Sequence, residues 1–372
     1  MNKKKRVLIV GGGIAGITLA NILQKKDRYD VFLVEKRDNW KVSGTGFFIP
    51  SNGVIALKQL GLLNSVKQKS FIINCRKIFT SRGSLLMNLD LQTVWGKDRF
   101  SLGISRENLH NILVESLDET KISFGTTVED LHFQKDFTKV FFSNGRADNF
   151  EIVIGADGIH SKIRELALGR VRIKNLSSSV CRFISNRPKN INCWTQFLDK
   201  KGQFIIIPIS KEKVYCCVYH YKKLNLSKEN FMDTFKNFTT PIPDILENWK
   251  IEDSYWGGIH RVKNMRILGR NRVVLVGDAA HGIPPALALG SSLAMEDALV
   301  VSKLLDEYDN WKRISSIFTR KRKLRLSWVR YRATKKDQFV KYPFWLQKFL
   351  IKHFGKNILK KDYIPLSLNI KY

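Results

Sequence analysis

Three times along this chain a short apolar run stops at glycine and gives way to a helical repeat. Val7-Leu8-Ile9-Val10 ends at Gly11-Gly12-Gly13, and the pattern from Ile14 onward is helical. Four apolar residues bounded by a turn signal predict a buried strand. Ile152-Val153-Ile154 runs likewise into Gly155-Ala156-Asp157-Gly158, where Ser161 is placed to cap the next helix. Val273-Val274-Leu275-Val276 then meets Gly277-Asp278, and beyond a loop from Ala286 to Gly290 the segment Ser291 to Leu305 reads as a helix. Its acidic residues Glu296 and Asp297 lie toward the favourable N-terminal half. A fourth run, Val31-Phe32-Leu33-Val34, reads as a strand ending in Glu35.

Between these runs the periodicity shifts toward two. Ile72 to Leu91 alternates around Ser81-Arg82-Gly83 and predicts a hairpin, and Lys139 to Phe142 meets an Asn144-Gly145 turn, a strong hairpin signal. From about Arg172 to Gly269 long alternating strands dominate, clearest at Gln203–Pro208 and Val214–Tyr219. Tyr215, Cys217 and Tyr219 share one face there by the two-residue period, a face suited either to roof an apolar pocket or to pack on core helices. Ser105 is a plausible cap for a helix with Leu109, Ile112 and Leu113 on one side. Arg106 projects from its first turn, either into a surface salt bridge or toward a phosphate or flavin.

The first turn carries the sharpest chemistry. Gly11-x-Gly13-x-x-Gly16 follows a strand and opens a helix, so Gly11 suits a tight turn, Gly13 a close approach of backbone to pyrophosphate, and Gly16 close helix packing. The helix N-terminus, with Ile14 and Ala15, would meet the phosphates with free N–H groups. Glu35 stands 19 residues beyond Gly16, followed by Lys36 and Arg37. A carboxylate there accepts both ribose hydroxyls and repels a 2′-phosphate, which reads as FAD or NAD(H).

Composition narrows the class. A chain of 372 residues with 44% hydrophobic and 11% aromatic content buries a full core and has room for more than one domain. The five cysteines, Cys75, Cys181, Cys193, Cys216 and Cys217, form no C-x-x-C pair and no zinc spacing. That argues against a disulfide framework or a metal and suits a reducing cytoplasm. The basic start followed by four apolar residues mimics a leader, but glycines cut it short, and no apolar stretch approaches the ~18 residues of a membrane span. Net charge is +31, and residues 311–372 hold 18 Lys and Arg against Asp337 and Asp362. This reads as solvated lysine-rich faces or as contact with an anionic membrane; no nucleic-acid-binding fingerprint accompanies it. Within Pro343 to Gly355, Leu346, Phe349, Leu350 and Phe354 are expected to line one side of a helix that packs on the body, with a membrane surface as the alternative.

Taken together, the Gly11/Gly13/Gly16 turn with Glu35, the Gly155-Ala156-Asp157-Gly158 turn with Ser161 and Arg164, and Gly277-Asp278-Ala279-Ala280-His281 with Pro284, Pro285, Gly290 and Asp297 resemble the single-component (class A) flavoprotein monooxygenases, the aromatic hydroxylases. The resemblance runs from Lys5 to about Leu305. It implies an α/β fold: a Rossmann-type FAD-binding domain over 1–170 and 270–310, an inserted antiparallel-sheet substrate domain over 171–269 to which the hairpin near 72–95 contributes, and basic C-terminal helices over 311–372. By that similarity Glu35 binds the adenosine ribose, Arg106 the FAD tail and Asp278 the ribityl chain. Pro285, Gly290 and Ser291 lie at the isoalloxazine, and Gly44 and Gly46 beside it. Asp157 is implicated in both FAD and pyridine nucleotide binding. The implied reaction uses NADPH or NADH and O2 to hydroxylate or epoxidise a hydrophobic ring through a C4a-hydroperoxyflavin, with Tyr215, Cys217 and Tyr219 near the substrate and no general base assigned. Where many members carry Gly-Gln-Gly, this chain has Ala288-Leu289-Gly290. A dehydrogenase, reductase or halogenase on the same fold is the competing reading, although no Trp-x-Trp-x-Ile-Pro signature is present. A basic docking flavoprotein without monooxygenase activity is the other. Nor is His281 part of a hydrolytic dyad, since no G-x-S-x-G elbow accompanies it.

Overall fold

A computed structural model describes residues 3–40, 45–221, 228–263 and 265–367. Gly44 lies outside the described residues. The apolar runs form the centre of a six-stranded sheet, ordered Gly269–Arg270, Val273–Leu275, Ile152–Gly155, Lys5–Val10, Tyr29–Val34, Lys121–Ser123. All pairings are parallel except that of Gly269–Arg270 with its neighbour. Val7, Leu8 and Ile9 are 0% exposed, which explains why the run is apolar without alternation: other elements cover both faces. Two of these, Ile14–Leu23 and Gly290–Glu307, lie against one another.

A second sheet of seven strands is ordered Tyr255–Val262, Ile173–Asn186, Lys213–His220, Gly202–Pro208, Trp194–Leu198, Cys75–Thr80, Leu85–Asp90. It is antiparallel except where Trp194–Leu198 runs parallel to Cys75–Thr80. The early hairpin thus joins the sheet as its edge. The face bearing Tyr215, Cys217 and Tyr219 turns toward the six-stranded half, and the helices of this part of the chain pack on the opposite face. Val180, Trp194, Ile205, Tyr215, Cys217 and Tyr219 join the core shared with the six-stranded half. Phe183, Phe204, Val214, Cys216 and Val218 pack instead with Phe231, Phe235, Phe238 and Trp249 from and beside the helices Lys228–Phe235 and Ile242–Glu247.

Two expectations are corrected. Cys75 and Cys193 are bonded as a disulfide across the one parallel pairing, 118 residues apart in sequence, while Cys181, Cys216 and Cys217 are free and buried. Spacing along the chain carries no trace of this, because strand register brings the pair together. The C-terminal helix, Phe344–Ser367, also packs by a different face from the one expected: Gln347, Ile351, Gly355 and Leu359 point inward, whereas Phe349 and Phe354 are exposed with Trp345. Gly355 lies on the packed side, where a Cβ would stand 3.1 Å from the Met87 sulfur. No helix among the described residues is long and apolar enough to cross a membrane.

Candidate active site

The three glycine turns sit side by side at the carboxyl ends of adjacent parallel strands, the edge where open α/β sheets bind ligands. Their glycines let them touch. A Cβ on Gly11 (φ +108°) would lie 2.5 Å from the Ala156 carbonyl oxygen, and one on Gly16 would lie 2.0 Å from that of Gly11. Gly277 (φ +58°) brings the third turn against Ala15. Gly13, by contrast, faces open space, and no side chain caps the helix that starts after it. Its first-turn N–H groups are therefore available to an anion. Gly290, exposed, begins the Gly290–Glu307 helix, also without a side-chain cap, just after Ala288 in the left-handed region (φ +53°).

Glu35 is buried, its two carboxylate oxygens accepting from the Gly12 N–H (2.7 Å) and the Arg37 N–H (3.0 Å). Both oxygens keep a lone pair for further donors. Lys36 and Arg37 are exposed beside it. His110 accounts for the rest of the turn: its Nε2 lies 3.0 Å from the Gly12 carbonyl and donates to it, and burial holds its titration below the ordinary imidazole value. Trp40 packs edge-on against His110 and fills the space over Gly12. Neither residue was visible as a site residue in the sequence, since only the fold brings a helix 98 residues away onto this turn.

Asp157 is committed to the next helix, accepting from the Ser161 hydroxyl (2.5 Å) and the Ile163 N–H (3.0 Å), while burial pushes its titration up. Arg164 links this turn to the third: buried, it donates to the carbonyls of Ile159 (2.7 Å) and Ala279 (3.0 Å). Within the third turn Asp278 is exposed although Val273–Gly277 and Ala279–His281 are buried. Burial lowers the titration of Arg106, and the nearby Arg37 and Arg182 act in the same direction while Asp278 opposes them. Arg106, Arg37, Asp278 and Arg182 thus line one region. Beneath it a buried network fixes the turn: Asp297 accepts from the Gly277 N–H (2.9 Å), His281 Nε2 (2.9 Å) and Arg322 Nε (2.7 Å). Burial works against the Asp297 carboxylate, but Arg322 and His281 outweigh it and hold its titration below the ordinary value. Glu296 pairs with Arg322 and Arg325 and accepts from Asn52. Ser291 is buried at the head of this helix, and Pro285 opens the Pro285–Leu287 turn before it.

The seven-stranded sheet closes over this edge. Gly46, on the Gly46–Ile49 strand, lies against Tyr215, where a Cβ would come within 2.5 Å of the tyrosine's own. Tyr215 and Tyr219 are buried, and burial drives both hydroxyls well above their ordinary titration, so they remain neutral donors. No group of His, Cys, Asp and Glu suited to a metal exists among the described residues. The donor set instead fits FAD: an uncapped helix start at Gly13 for a pyrophosphate, an oriented carboxylate at Glu35, an exposed carboxylate at Asp278, and a second uncapped helix at Gly290.

Comparison with known proteins agrees. The FAD binding domain family matches residues 4–318. The 2-heptyl-3-hydroxy-4(1H)-quinolone synthase of Pseudomonas aeruginosa is 28% identical over 313 residues, covering 80% of each chain. The 6-hydroxynicotinate 3-monooxygenase of Pseudomonas fluorescens is 23% identical over 334 residues, covering 82% of this chain and 84% of its own. Among solved structures, HpxO of Klebsiella pneumoniae complexed with FAD and uric acid superposes with a TM-score of 0.89 at 19% identity, over 98% of this chain and 97% of that one. At that identity the match speaks for the fold.

Proposed function

The chain belongs to the FAD binding domain family and is an FAD-dependent monooxygenase of the class A aromatic-hydroxylase type, and from that premise we propose that it uses NADPH or NADH with O2 to hydroxylate a planar, hydrophobic heteroaromatic ring. The observation that carries this reading is the meeting of three glycine turns at one sheet edge beneath a buried face bearing Tyr215, Cys217 and Tyr219. Related proteins named for a quinolone and a hydroxynicotinate, and the fold match bound to uric acid, support the choice of ring.

In this reading Gly11, Gly13, Ile14, Ala15 and Gly16 present backbone to the pyrophosphate. Glu35 takes the ribose hydroxyls, with Lys36 and Arg37 at the rim, and Arg106 supports the same tail. Asp278 accepts from the ribityl chain, while Pro285, Gly290 and Ser291 border the ring system, where a helix N-terminus favours negative charge. Asp157 holds the middle turn in place. Held by these residues, FAD would supply the redox chemistry, the transfer of two electrons from NAD(P)H to O2 by which one oxygen atom enters the substrate and the other leaves as water. The protein's share is positioning and exclusion of water, which the buried aromatic face over Gly46 provides.

The test is product isotope content. The FAD-loaded protein is incubated with NADPH or NADH under oxygen-18 gas and a set of hydroxypyridines, quinolones and purinediones. One product carrying a single labelled oxygen supports the proposal; release of hydrogen peroxide alone with every ring would contradict it.

A further inference from the structure

The side of the seven-stranded sheet that faces the glycine turns carries polar groups in two places: Arg182 with Tyr215 and Tyr219, and a band nearer the Cys75–Thr80 edge. Arg76 begins this band, on the Cys75–Thr80 strand, 6% exposed, its guanidinium 4.1 Å from the ring centre of Trp194. Its Nη2 donates to the Gln196 side chain at 2.9 Å, and the Gln196 amide donates in turn to Gln203. The Tyr363 hydroxyl oxygen is the one other acceptor in reach of the guanidinium, and Nε and Nη1 of Arg76 make no well-formed hydrogen bond among the described residues. Trp194 stacks edge-on to Phe48 of the Gly46–Ile49 strand, and Tyr363, beside Arg76, donates from its hydroxyl to the Leu287 carbonyl in the Pro285–Leu287 turn. The guanidinium therefore borders the loop expected at the flavin ring.

Its charge is also only partly compensated. The carboxylate nearest to it, Asp362, is already held by Arg332 and by Lys336 (3.5 Å). Three cations share one carboxylate. In the neighbouring network around Asp297, two arginines face two carboxylates. Buried charges are ordinarily paired, because removing one from water without a partner is expensive. A planar fork resting on an indole, with N–H donors beyond those directed at Gln196 and Tyr363, matches the geometry of a carboxylate or ring oxyanion.

Building on the monooxygenase reading, we propose that Arg76 is the anion-recognition residue of the substrate site, so that the substrate is an aromatic acid or ring oxyanion seated with its charge on Arg76 and its ring toward the Pro285–Leu287 turn. Trp194 supplies the platform, and Gln196 with Gln203 sets the angle of the fork.

The test is calorimetric titration of the protein, with and without FAD, against benzoate, nicotinate and quinoline-4-carboxylate, each beside its primary amide and beside inorganic phosphate. At least one acid is expected to bind tenfold or more tightly than its amide. Arg76→Gln should remove that preference, leaving amide binding and FAD affinity within about twofold, a loss in line with a deleted charge-assisted fork. Arg76→Lys, which keeps the charge but not the fork, should fall between and serves if the glutamine variant does not fold. Amides binding as well as acids throughout, an unchanged acid preference in both variants, or phosphate competing fully with every acid (an adventitious ion only) would each overturn the proposal. A protein that fails to take up FAD yet still prefers acids through Arg76 would separate this inference from the monooxygenase reading.

Discussion

At the scale of single residues, the glycines of the first turn divide into two kinds that a motif does not distinguish. Gly16 is needed for packing, as its Cβ would strike the Gly11 carbonyl, whereas a Cβ on Gly13 meets nothing within 4 Å. Gly16→Ala is therefore expected to lower stability in urea unfolding by about 1–3 kcal/mol or more, the range of overpacked cores. Gly13→Ala should leave the unfolding midpoint unchanged and weaken FAD binding about tenfold or more, because the methyl group lies where a pyrophosphate must approach. Asp297→Asn leaves Arg322 buried beside a neutral amide, and breaking such a pair is expected to cost about 3–5 kcal/mol, measured the same way. Lys336 gives a pH signature: burial pulls its titration down to about 8 from 10.5, with Asp362 opposing. Between those values the unfolded chain holds a proton that the folded one lacks, so stability should rise with pH from about 8 to 10.5. Lys336→Met should flatten that slope. The glycines, Glu35 and Asp278 were legible as candidates because a turn writes them into local sequence. His110, Trp40 and Arg76 were not, since each acts through a contact made by the fold, as in the 98 residues between Gly12 and His110; Arg164 was legible as part of the second motif, but its link to Ala279 was not.

At the scale of elements, strands bounded by glycine and the Asn144-Gly145 hairpin could be read directly, since Thr138–Phe142 and Ala147–Phe150 pair around that turn. What pattern alone left open was which face of a two-sided strand met which partner. The alternation at Val214–Tyr219 is apolar on both sides because one side meets the flavin half and the other the aromatic helices. Phe235→Ala removes a fully buried ring from the second of these layers and is expected to lower stability by about 3–5 kcal/mol while leaving FAD affinity unchanged. The C-terminal helix was legible as a helix but not in rotation. Its aromatic residues are divided between solvent and protein, and the small residue Gly355, rather than the largest apolar ones, marks the packed face.

At the scale of the whole molecule, a net charge of +31 makes the folded state repel itself. Raising NaCl from about 20 to 300 mM shortens the screening length severalfold, and the thermal midpoint is expected to rise with it; a midpoint that falls would mean that surface ion pairs dominate instead. The central claim is that the three turns together form one FAD site at which NAD(P)H and O2 react. The most direct measurement is anaerobic stopped-flow absorbance of the FAD-reconstituted protein, mixed first with NADPH or NADH and then with oxygenated buffer, with and without a heteroaromatic acid. The expected result is a tightly bound yellow flavin, bleached by the nucleotide faster when the acid is present, and reoxidised by oxygen through a transient absorbing species. A protein that cannot be loaded with FAD, or a bound flavin that neither nucleotide reduces in the presence of any ring tested, would contradict the account.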